Sequence, residues 1–253
     1  VNTPAILSLS LLMDKAPTYQ GVKGPDGLAV SMTNATKRNV SFRATKSGKY
    51  TTTNVGTISF TDVNTLSTAQ KDTLRRLYAH GLIEGKSATS FAPSTTLTRA
   101  EFTTLLIKTI GAYDASYKTS SGFVDMKNQW SEPVVSKAKK LGIIAGYDSD
   151  NTFRPDNKLN NEQLYHLLGL TYAKSNKRSA VAGNRADAIV GKFTDSAKVS
   201  QWAKKNVAVA VAANIYTGNQ SGNFNPRNEV SRLNAAFAVG KLFEISPFDG
   251  NWK

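Results

Sequence analysis

The chain repeats one pattern three times between residues 60 and 235. Each copy opens with Phe-x-Asp, passes Gly81, Gly142 or Asn214, and reaches Phe-x-Pro shortly before a polar capping residue. The copies are FTDV…GLIEG…FAPSTTLTRAEF (60–102), FVDM…GIIAG…FRPDNKLNNEQL (123–164) and FTDS…NIYTG…FNPRNEVSRLNA (193–235). Landmarks kept at nearly constant spacing indicate a repeated structural unit, and repeated units of this size must pack on one another.

Each copy has the signals of two helices joined by a loop. In the first copy Ser67 and Gln70 form a capping box, and Gly81 is placed to end that helix in a left-handed conformation. Thr98 begins a second helix with Glu101 as its capping partner. The apolar residues behind this cap lie on one helical stripe, namely Phe102, Leu105, Leu106 and Ile110.

Two helices alone cannot bury both of their stripes, so the pattern predicts a mainly α fold. We expect three helix–loop–helix repeats, over 60–113, 121–174 and 192–245, packed about a pseudo-threefold axis. Linkers are expected near 114–121 and over 175–188, where the sequence is polar, small and basic. The phenylalanines of the landmarks are assigned to the core, namely Phe60, Phe91, Phe123, Phe153, Phe193 and Phe224.

Residues 1–59 have a different pattern. Apolar and polar residues alternate over GLAVSMTN, NVSFRATKSG and YTTTNVGTISF, between turns rich in Gly, Asn and Lys. This alternation predicts a short β-rich segment, and one interpretation is the end of a preceding domain. The run PAILSLSLLM (4–13) is too short for a transmembrane helix, so we expect no membrane insertion. The first residue is Val1, which indicates processing or truncation.

The formal net charge of +14 is spread over every segment of the chain. A nucleic-acid binder usually concentrates Lys and Arg on one helix or stripe, so we expect no nucleic-acid partner. Affinity for an extended polyanion and a basic surface without a partner both remain open. The absence of cysteine excludes disulfides and thiolate chemistry.

The order Phe-x-Asp-Val, Trp, Gly-Ile-x-x-Gly, Phe-x-Pro and Thr-Arg-Ala-Glu resembles the S-layer homology domain, the wall-anchoring module of bacterial surface proteins. The resemblance covers roughly residues 60–245 and includes one unaltered TRAE, at 98–101. It implies an extracellular protein of the bacterial cell wall that binds an anionic secondary cell-wall polysaccharide, often through a pyruvate ketal, in grooves between repeats. Other S-layer subunits are a further partner that it allows. A self-assembling structural segment and a non-specific polyanion binder are the alternatives.

The three copies separate capping residues from candidate ligand-binding residues. Thr98, Asn160 and Ser231 are good N-caps, and Glu101 is read as structural. The next position holds Arg99, Asn161 and Arg232, in a first turn where the helix dipole disfavours a cation. We therefore predict that Arg99 and Arg232 bind a carboxylate or phosphate together with free N–H groups of the turn, while a solvated surface arginine is the alternative.

Three further sets are candidates for contact with sugar. Trp130 and Trp202 are stacking platforms or core residues, with Ala69 at that position in the first copy. The glycines mark either turns with positive φ or a close approach to sugar, and the aspartates accept sugar hydroxyls or cap turns. The sets are Gly85, Gly146 and Gly218, and Asp62, Asp125 and Asp195. The second copy lacks the arginine and the first lacks the tryptophan, so one or two working sites are expected.

No catalytic, metal or cofactor signal is present in the sequence, so we expect a protein that is not an enzyme. The chain has two histidines; His80 precedes Gly81, where a cation suits the helix dipole, and His166 lies in an apolar stripe. Neither is paired with a nucleophile motif, and residues 1–59 are too few for a catalytic domain.

Overall fold

The computed structural model describes residues 11–12, 20–25, 27–29, 31–34, 39–42, 47–54, 58–114, 116–176, 181–218 and 222–245. Over these residues the protein is mainly helical, with short strands ahead of the repeats, as predicted. The strands are β1 (Leu11–Leu12), β2 (Gln20–Gly24), β3 (Gly27–Ala29), β4 (Ser31–Asn34), β5 (Asn39–Phe42) and β6 (Thr51–Asn54). The helices are α1 (Thr68–Ala79), α2 (Arg99–Thr109), α3 (Glu132–Lys140), α4 (Asn161–Ser175), α5 (Gly183–Val190), α6 (Gln201–Ala212) and α7 (Arg232–Ile245).

The ends of the repeat helices follow the capping signals in the sequence. Ser67 with Gln70 and Thr98 with Glu101 form reciprocal capping boxes at the starts of α1 and α2. After the first helix of each repeat the chain enters the left-handed region, with φ of 64° at Gly81, 64° at Gly142 and 56° at Asn214. Asparagine tolerates this conformation better than most residues, which explains why it replaces glycine in the third repeat.

Three buried residues form a closed ring of backbone hydrogen bonds at the centre of the repeats. The N–H of Leu97 donates to the carbonyl of Val230 (3.1 Å), that of Val230 to Leu159 (2.8 Å), and that of Leu159 to Leu97 (3.0 Å). Each residue directly precedes the N-cap of a repeat's second helix. The ring defines the predicted pseudo-threefold axis, because each repeat donates to one neighbour and accepts from the other.

The core lies between the repeats and includes all six landmark phenylalanines, as predicted. Helices α4 and α6 pack especially closely at Gly169, where a Cβ would overlap the carbonyl oxygen of Asn206. The capping residue Thr98 and the stripe behind it place Phe102 and Leu106 at full burial. Burial of apolar surface, which stabilises by about 25 cal/mol per Å², is the main contribution that holds the three repeats together.

The linker predicted over 175–188 is wrong in its second half. Residues 183–190 form α5, in which Ala186 and Val190 are buried four residues apart and face α6. The segment is mostly polar and basic, and the apolar face of this helix consists of only two buried residues, so composition did not indicate a helix. Residues 177–180 of the predicted linker lie outside the described residues, and the described part of 114–121 contains no helix or strand.

The described strands form two antiparallel three-stranded sheets, in the orders β1-β5-β4 and β3-β2-β6. They confirm a β-rich segment ahead of the repeats; most of the run at 4–13 lies outside the described residues. Ser31 joins this segment to the C-terminal end of α1, since its N–H donates to the carbonyl of His80 (3.2 Å). No helix among the described residues has the length and apolar character needed to cross a membrane.

His80 is fully buried at this junction, and its Nδ1 lies 3.1 Å from the Oγ of Ser31. Its ring packs against Phe243 with centroids 5.1 Å apart. Burial lowers the pKa of His80 to about 4, and the charge of Arg76 acts in the same direction. The expectation of a cation at this helix end is therefore wrong, because desolvation outweighs the helix dipole.

Candidate ligand-binding grooves

The first residue of α2, α4 and α7 reaches across to the Phe-x-Pro loop of the next repeat. We call Arg99, Asn161 and Arg232 the bridging position, because each side chain donates to a backbone carbonyl of its neighbour. The bonds run from Arg99 Nε to Phe153 O (2.9 Å), from Asn161 Nδ2 to Phe224 O (3.3 Å) and Asn225 O (3.1 Å), and from Arg232 Nε to Phe91 O (2.9 Å) and Nη2 to Glu84 O (2.8 Å). These bonds make a second closed ring around the axis.

The N–H groups of the first helical turn are not free to bind a ligand. In α2 the N–H of Arg99 donates to Asn157 O (2.9 Å) and that of Ala100 to Pro155 O (3.0 Å). Helices α4 and α7 repeat this arrangement with the loops that face them. The prediction that these N–H groups converge on an anion with the guanidinium is therefore wrong. An anion here would have to be bound by the side chain alone.

The guanidinium of Arg99 lies between two aromatic rings and keeps donors for a ligand. Its Cζ is 4.7 Å from the ring centre of Phe153 and 5.2 Å from that of Tyr147. Burial lowers the pKa of Arg99, but arginine remains charged at any physiological pH. Only the Nε has an acceptor among the described residues. The terminal nitrogens are therefore available for charge-assisted hydrogen bonds to a carboxylate.

The first groove has a volume of about 330 Å³ and lies over the second repeat. We call it the aromatic groove, and its walls include Arg99, Gly146, Tyr147, His166, Leu170 and Trp202. The rings of His166 and Trp202 meet edge to face at 4.9 Å, and Asn206 Nδ2 lies 3.3 Å from His166 Nδ1. Burial lowers the pKa of His166 to about 4, so the imidazole is neutral at pH 7.

The second groove has a volume of about 250 Å³ and lies over the first repeat. We call it the charged groove, and its walls include Arg232, Gly85, Lys86, Glu101, Lys108 and Trp130. Lys86 pairs with Glu101 (3.1 Å), and Lys108 lies 3.8 Å from a carboxylate oxygen of Glu84. Burial lowers the pKa of Arg232, and the charges of Glu101 and Asp62 oppose that effect.

Both grooves draw on all three repeats in the same way. Each combines an arginine from one repeat, the glycine-containing loop of a second and the tryptophan of the third. Trp130 and Trp202 are 61% and 53% exposed, so neither is a core residue. The structure thus brings each predicted arginine together with a predicted tryptophan that is distant in sequence.

The third position around the axis differs from both grooves in residues that include Asn161, Ala69 and Tyr165. Asn161 replaces the arginine and Ala69 stands where the other copies have tryptophan. Tyr165 is buried where the two grooves have the smaller Thr103 and Ala236. Its ring meets Tyr216 at 4.8 Å and its hydroxyl lies 2.9 Å from Thr217 Oγ1. Within the described part of this position, the buried ring of Tyr165 stands where the two grooves have the smaller side chains of Thr103 and Ala236.

The predicted glycines are required by packing within their own repeat. Gly85, Gly146 and Gly218 do not have positive φ, so that interpretation is wrong. A Cβ at Gly85 or Gly146 would overlap the ring of Phe60 or Phe123, and at Gly218 it would meet Tyr216. Gly85 and Gly146 line the two grooves, and their contact with sugar stays a prediction.

The predicted aspartates act as backbone acceptors in the structure. Asp125 accepts from the N–H groups of Phe153 (2.8 Å) and Arg154 (2.7 Å), one on each oxygen. Asp62 does the same with Phe91 and Ala92, and Asp195 with Phe224 and Asn225. Although burial acts in the opposite direction, these bonds and Ser90 lower the pKa of Asp62. The turn-acceptor interpretation explains these carboxylates, and none of them lines either groove.

Glu101 caps its own helix, as predicted, and also contributes to the charged groove. It accepts from the N–H of Thr98 (2.9 Å) and from Lys86 Nζ (3.1 Å). These bonds lower its pKa in spite of the opposing effect of burial. Sequence reasoning missed Lys86, Lys108, Tyr147, His166 and Leu170. A comparison of the copies could have found the helical members of this set. Thr104 and Lys108 of the first repeat correspond to His166 and Leu170 of the second, and residues four apart lie on the same face of a helix.

The described residues contain no cluster of three or more His, Asp or Glu side chains that could hold a metal ion. The grooves instead combine guanidinium groups, exposed indole rings and hydrogen-bonding side chains. Side chains of these kinds can bind a sugar, because an indole ring stacks on its apolar face and the guanidinium and other polar groups form hydrogen bonds with its polar substituents.

The sequence profile of the S-layer homology domain matches residues 59–103, 122–163 and 192–236, which together make up about half of the chain. This chain belongs to the S-layer homology domain family.

Full-length relatives carry the matching segment as a small part. The exoglucanase XynX of Acetivibrio thermocellus is 31% identical over 179 residues, which are 70% of this chain and 16% of the relative. The S-layer protein sap of Bacillus anthracis is 29% identical over 173 residues, or 67% of this chain and 19% of the relative. An S-layer protein of Bacillus thuringiensis subsp. finitimus is 28% identical over 171 residues, 67% of this chain and 20% of the relative. The chain thus spans about a fifth or less of these relatives.

Proposed function

We propose that the repeats attach this protein to the bacterial cell surface by binding an anionic cell-wall polysaccharide without chemical change. The observation that carries the proposal is the joining of an arginine and an exposed tryptophan in each of two grooves. The relatives that share this segment differ in kind, since they include S-layer proteins and an exoglucanase. A role that all of them could share, such as attachment, explains the common segment better than the activity of any one of them.

In each groove the tryptophan supports the apolar face of a sugar ring while the arginine donates to its polar substituents. Groove volumes of about 330 and 250 Å³ suit a short stretch of sugar; the first lies at the lower end of the range for small-ligand pockets and the second just below it. A pyruvate ketal is the substituent that we propose for the acidic residue, because it offers one carboxylate to a planar guanidinium. The overall charge of +14 favours encounter with such a polymer.

Binding to purified bacterial walls tests this function. The protein should sediment with untreated walls and remain in solution with walls from which acid has removed the secondary polymer. Heparin and DNA should compete poorly, because groove contacts rather than net charge decide the binding. Equal binding to both wall preparations, or displacement by heparin at comparable concentration, would reject the proposal in favour of non-specific polyanion binding. Concentration-dependent self-association without wall binding would favour the structural alternative.

A further inference from the structure

The two grooves are equivalent in the architecture of the repeats but not in their chemistry. At three equivalent positions the aromatic groove has Tyr147, His166 and Leu170, where the charged groove has Lys86, Thr104 and Lys108. These positions face the ligand space between the arginine and the tryptophan. The walls of the two grooves should therefore recognise different sugar residues.

In the aromatic groove the charge of Arg99 has no carboxylate opposite it. None of the residues lining this groove is acidic. Burial lowers the pKa of Arg99 and Arg154 acts in the same direction, whereas Tyr147 in the groove wall and Asp125 outside the groove favour its charged form. Both oxygens of Asp125 accept from backbone N–H groups, so Arg99 has no carboxylate partner within the groove, and at a partly buried site its pairing with an anion is stronger than in water.

In the charged groove the cations already have partners. Lys86 pairs with Glu101, Lys108 approaches Glu84, and Arg232 donates from two nitrogens to backbone carbonyls. Alternating donors and acceptors of this kind match the hydroxyl groups of a neutral sugar. A carboxylate placed here would meet Glu84 and Glu101 as well as the lysines, so it would gain little over a hydroxyl.

We propose that the acidic sugar of the polymer binds in the aromatic groove and a neutral, hydroxyl-rich sugar binds in the charged groove. This inference rests on the proposed function and assigns the polymer's charge to one of its two sites. Leu170 and the ring of Tyr147 also offer apolar wall surface to a methyl group on the acidic sugar. His166 holds the plane of Trp202 by its edge-to-face contact.

The indole N–H signals of Trp130 and Trp202 report on the two grooves separately in a nitrogen-15 NMR spectrum. Trp130→Phe and Trp202→Phe variants assign the signals. The probes are N-acetylmuramic acid and N-acetylglucosamine, which differ by a lactyl carboxylate. We expect the Trp202 signal to titrate at an at least about tenfold lower concentration with the acidic sugar, and the Trp130 signal to show no such preference.

Arg99→Gln should abolish the preference at Trp202 and leave the titration at Trp130 unchanged. The inference is overturned if both signals prefer the acidic sugar equally, if the preference lies at Trp130, or if Trp202 does not respond up to the solubility limit. The wall-binding assay keeps these outcomes separate from the proposed function. If the protein binds intact walls but not acid-treated walls and also gives one of these results, only the assignment of the two grooves is rejected, and the proposed function stands.

Discussion

The Nε of Arg232 donates a hydrogen bond to the carbonyl oxygen of Phe91, at 2.9 Å across 141 positions of sequence. This bond joins the last repeat to the first and closes the ring of bridging residues. The same guanidinium lines the charged groove, so a residue that holds the repeats together also faces the proposed ligand. The contact that closes the ring of repeats therefore also forms part of the groove wall.

Replacing the bridging arginines should reduce both stability and binding. Arg232→Ala removes bonds to two carbonyls and Arg99→Ala a bond to one, so Arg232→Ala should cost the larger free energy of unfolding. We expect roughly 1–3 kcal/mol for each, since these bonds are charge-assisted. Wall binding by the folded variants should fall about tenfold or more. Urea unfolding and sedimentation with walls measure the two effects.

Asn161→Ala is the matched control, because it breaks bonds at the same position without removing a charge from a groove. It should lower stability by about 1 kcal/mol and leave wall binding unchanged. Unaltered unfolding curves for all three variants would show that the bridging bonds do not stabilise the ring.

The tryptophans should affect binding more than folding. Both are more than half exposed, so Trp130→Ala should cost about 1 kcal/mol of unfolding free energy or less, and Trp202→Ala about 1–2 kcal/mol, because it also loses the edge-to-face contact with His166. Each should weaken polymer binding about tenfold, through loss of stacking on the sugar. Val124→Ala is the control, since Val124 is 66% exposed and lines neither groove. Equal loss of binding with Val124→Ala would point to a diffuse surface effect.

Much of the fold could be predicted from the sequence because its signals are local and recur three times. The capping box at Thr98 and Glu101 and the left-handed turn at Gly81 are decided by neighbouring residues. Helix α5 was missed because its buried face consists of only Ala186 and Val190, within a polar segment. A narrow face of that kind is recognised only against the partner that covers it.

The grooves were less predictable, because each is assembled from three repeats. The sequence identified Arg99 and Trp202, but not that they line one cavity together with Tyr147. The occupied N–H groups of the first turn could not be foreseen, since their acceptors at Asn157 and Pro155 belong to the next repeat. Local rules describe a helix start in isolation, whereas here a neighbouring loop covers it.

The landmark aspartates are expected to serve folding rather than binding. Asp125→Ala would leave the N–H groups of Phe153 and Arg154 without their acceptor, at a cost of roughly 2–3 kcal/mol. Asp125→Asn keeps one acceptor oxygen and should cost about half as much. Thermal unfolding measures the loss, and wall binding below the transition should match that of the unaltered chain. Reduced binding by a fully folded Asp125→Asn variant would restore this residue to the candidate site.

Tyr165 should stabilise the third position without contributing to binding. Tyr165→Ala removes a buried ring that contacts Tyr216 and Phe224, and should cost about 3–5 kcal/mol. Tyr165→Phe loses only the hydroxyl contact with Thr217 and should cost about 1 kcal/mol. Tyr165→Phe should still bind two sugars for each chain in calorimetry. A third equivalent of bound sugar in the unaltered chain would mean that Tyr165 does not close this position.

Acid should destabilise the protein through its two histidines. Burial lowers the pKa of both His80 and His166 to about 4, below the value of about 6.5 expected in the unfolded chain. Between these values the unfolded state binds protons that the folded state does not, so stability falls as pH falls from about 6.5 to about 4. From pH 7 to pH 5 each histidine should account for a loss of about 2 kcal/mol.

Substitutions taken from the equivalent positions isolate this effect. His80→Leu copies Leu141 of the second repeat, and His166→Thr copies Thr104 of the first. Each should remove about 2 kcal/mol from the difference in unfolding free energy between pH 7 and pH 5, whatever it does to stability at pH 7. The double variant should lose both contributions, since His80 contacts Ser31 and Phe243 whereas His166 contacts Trp202 and Asn206. If urea unfolding of the unaltered chain gives the same free energy at both pH values, the histidines are not held neutral by burial.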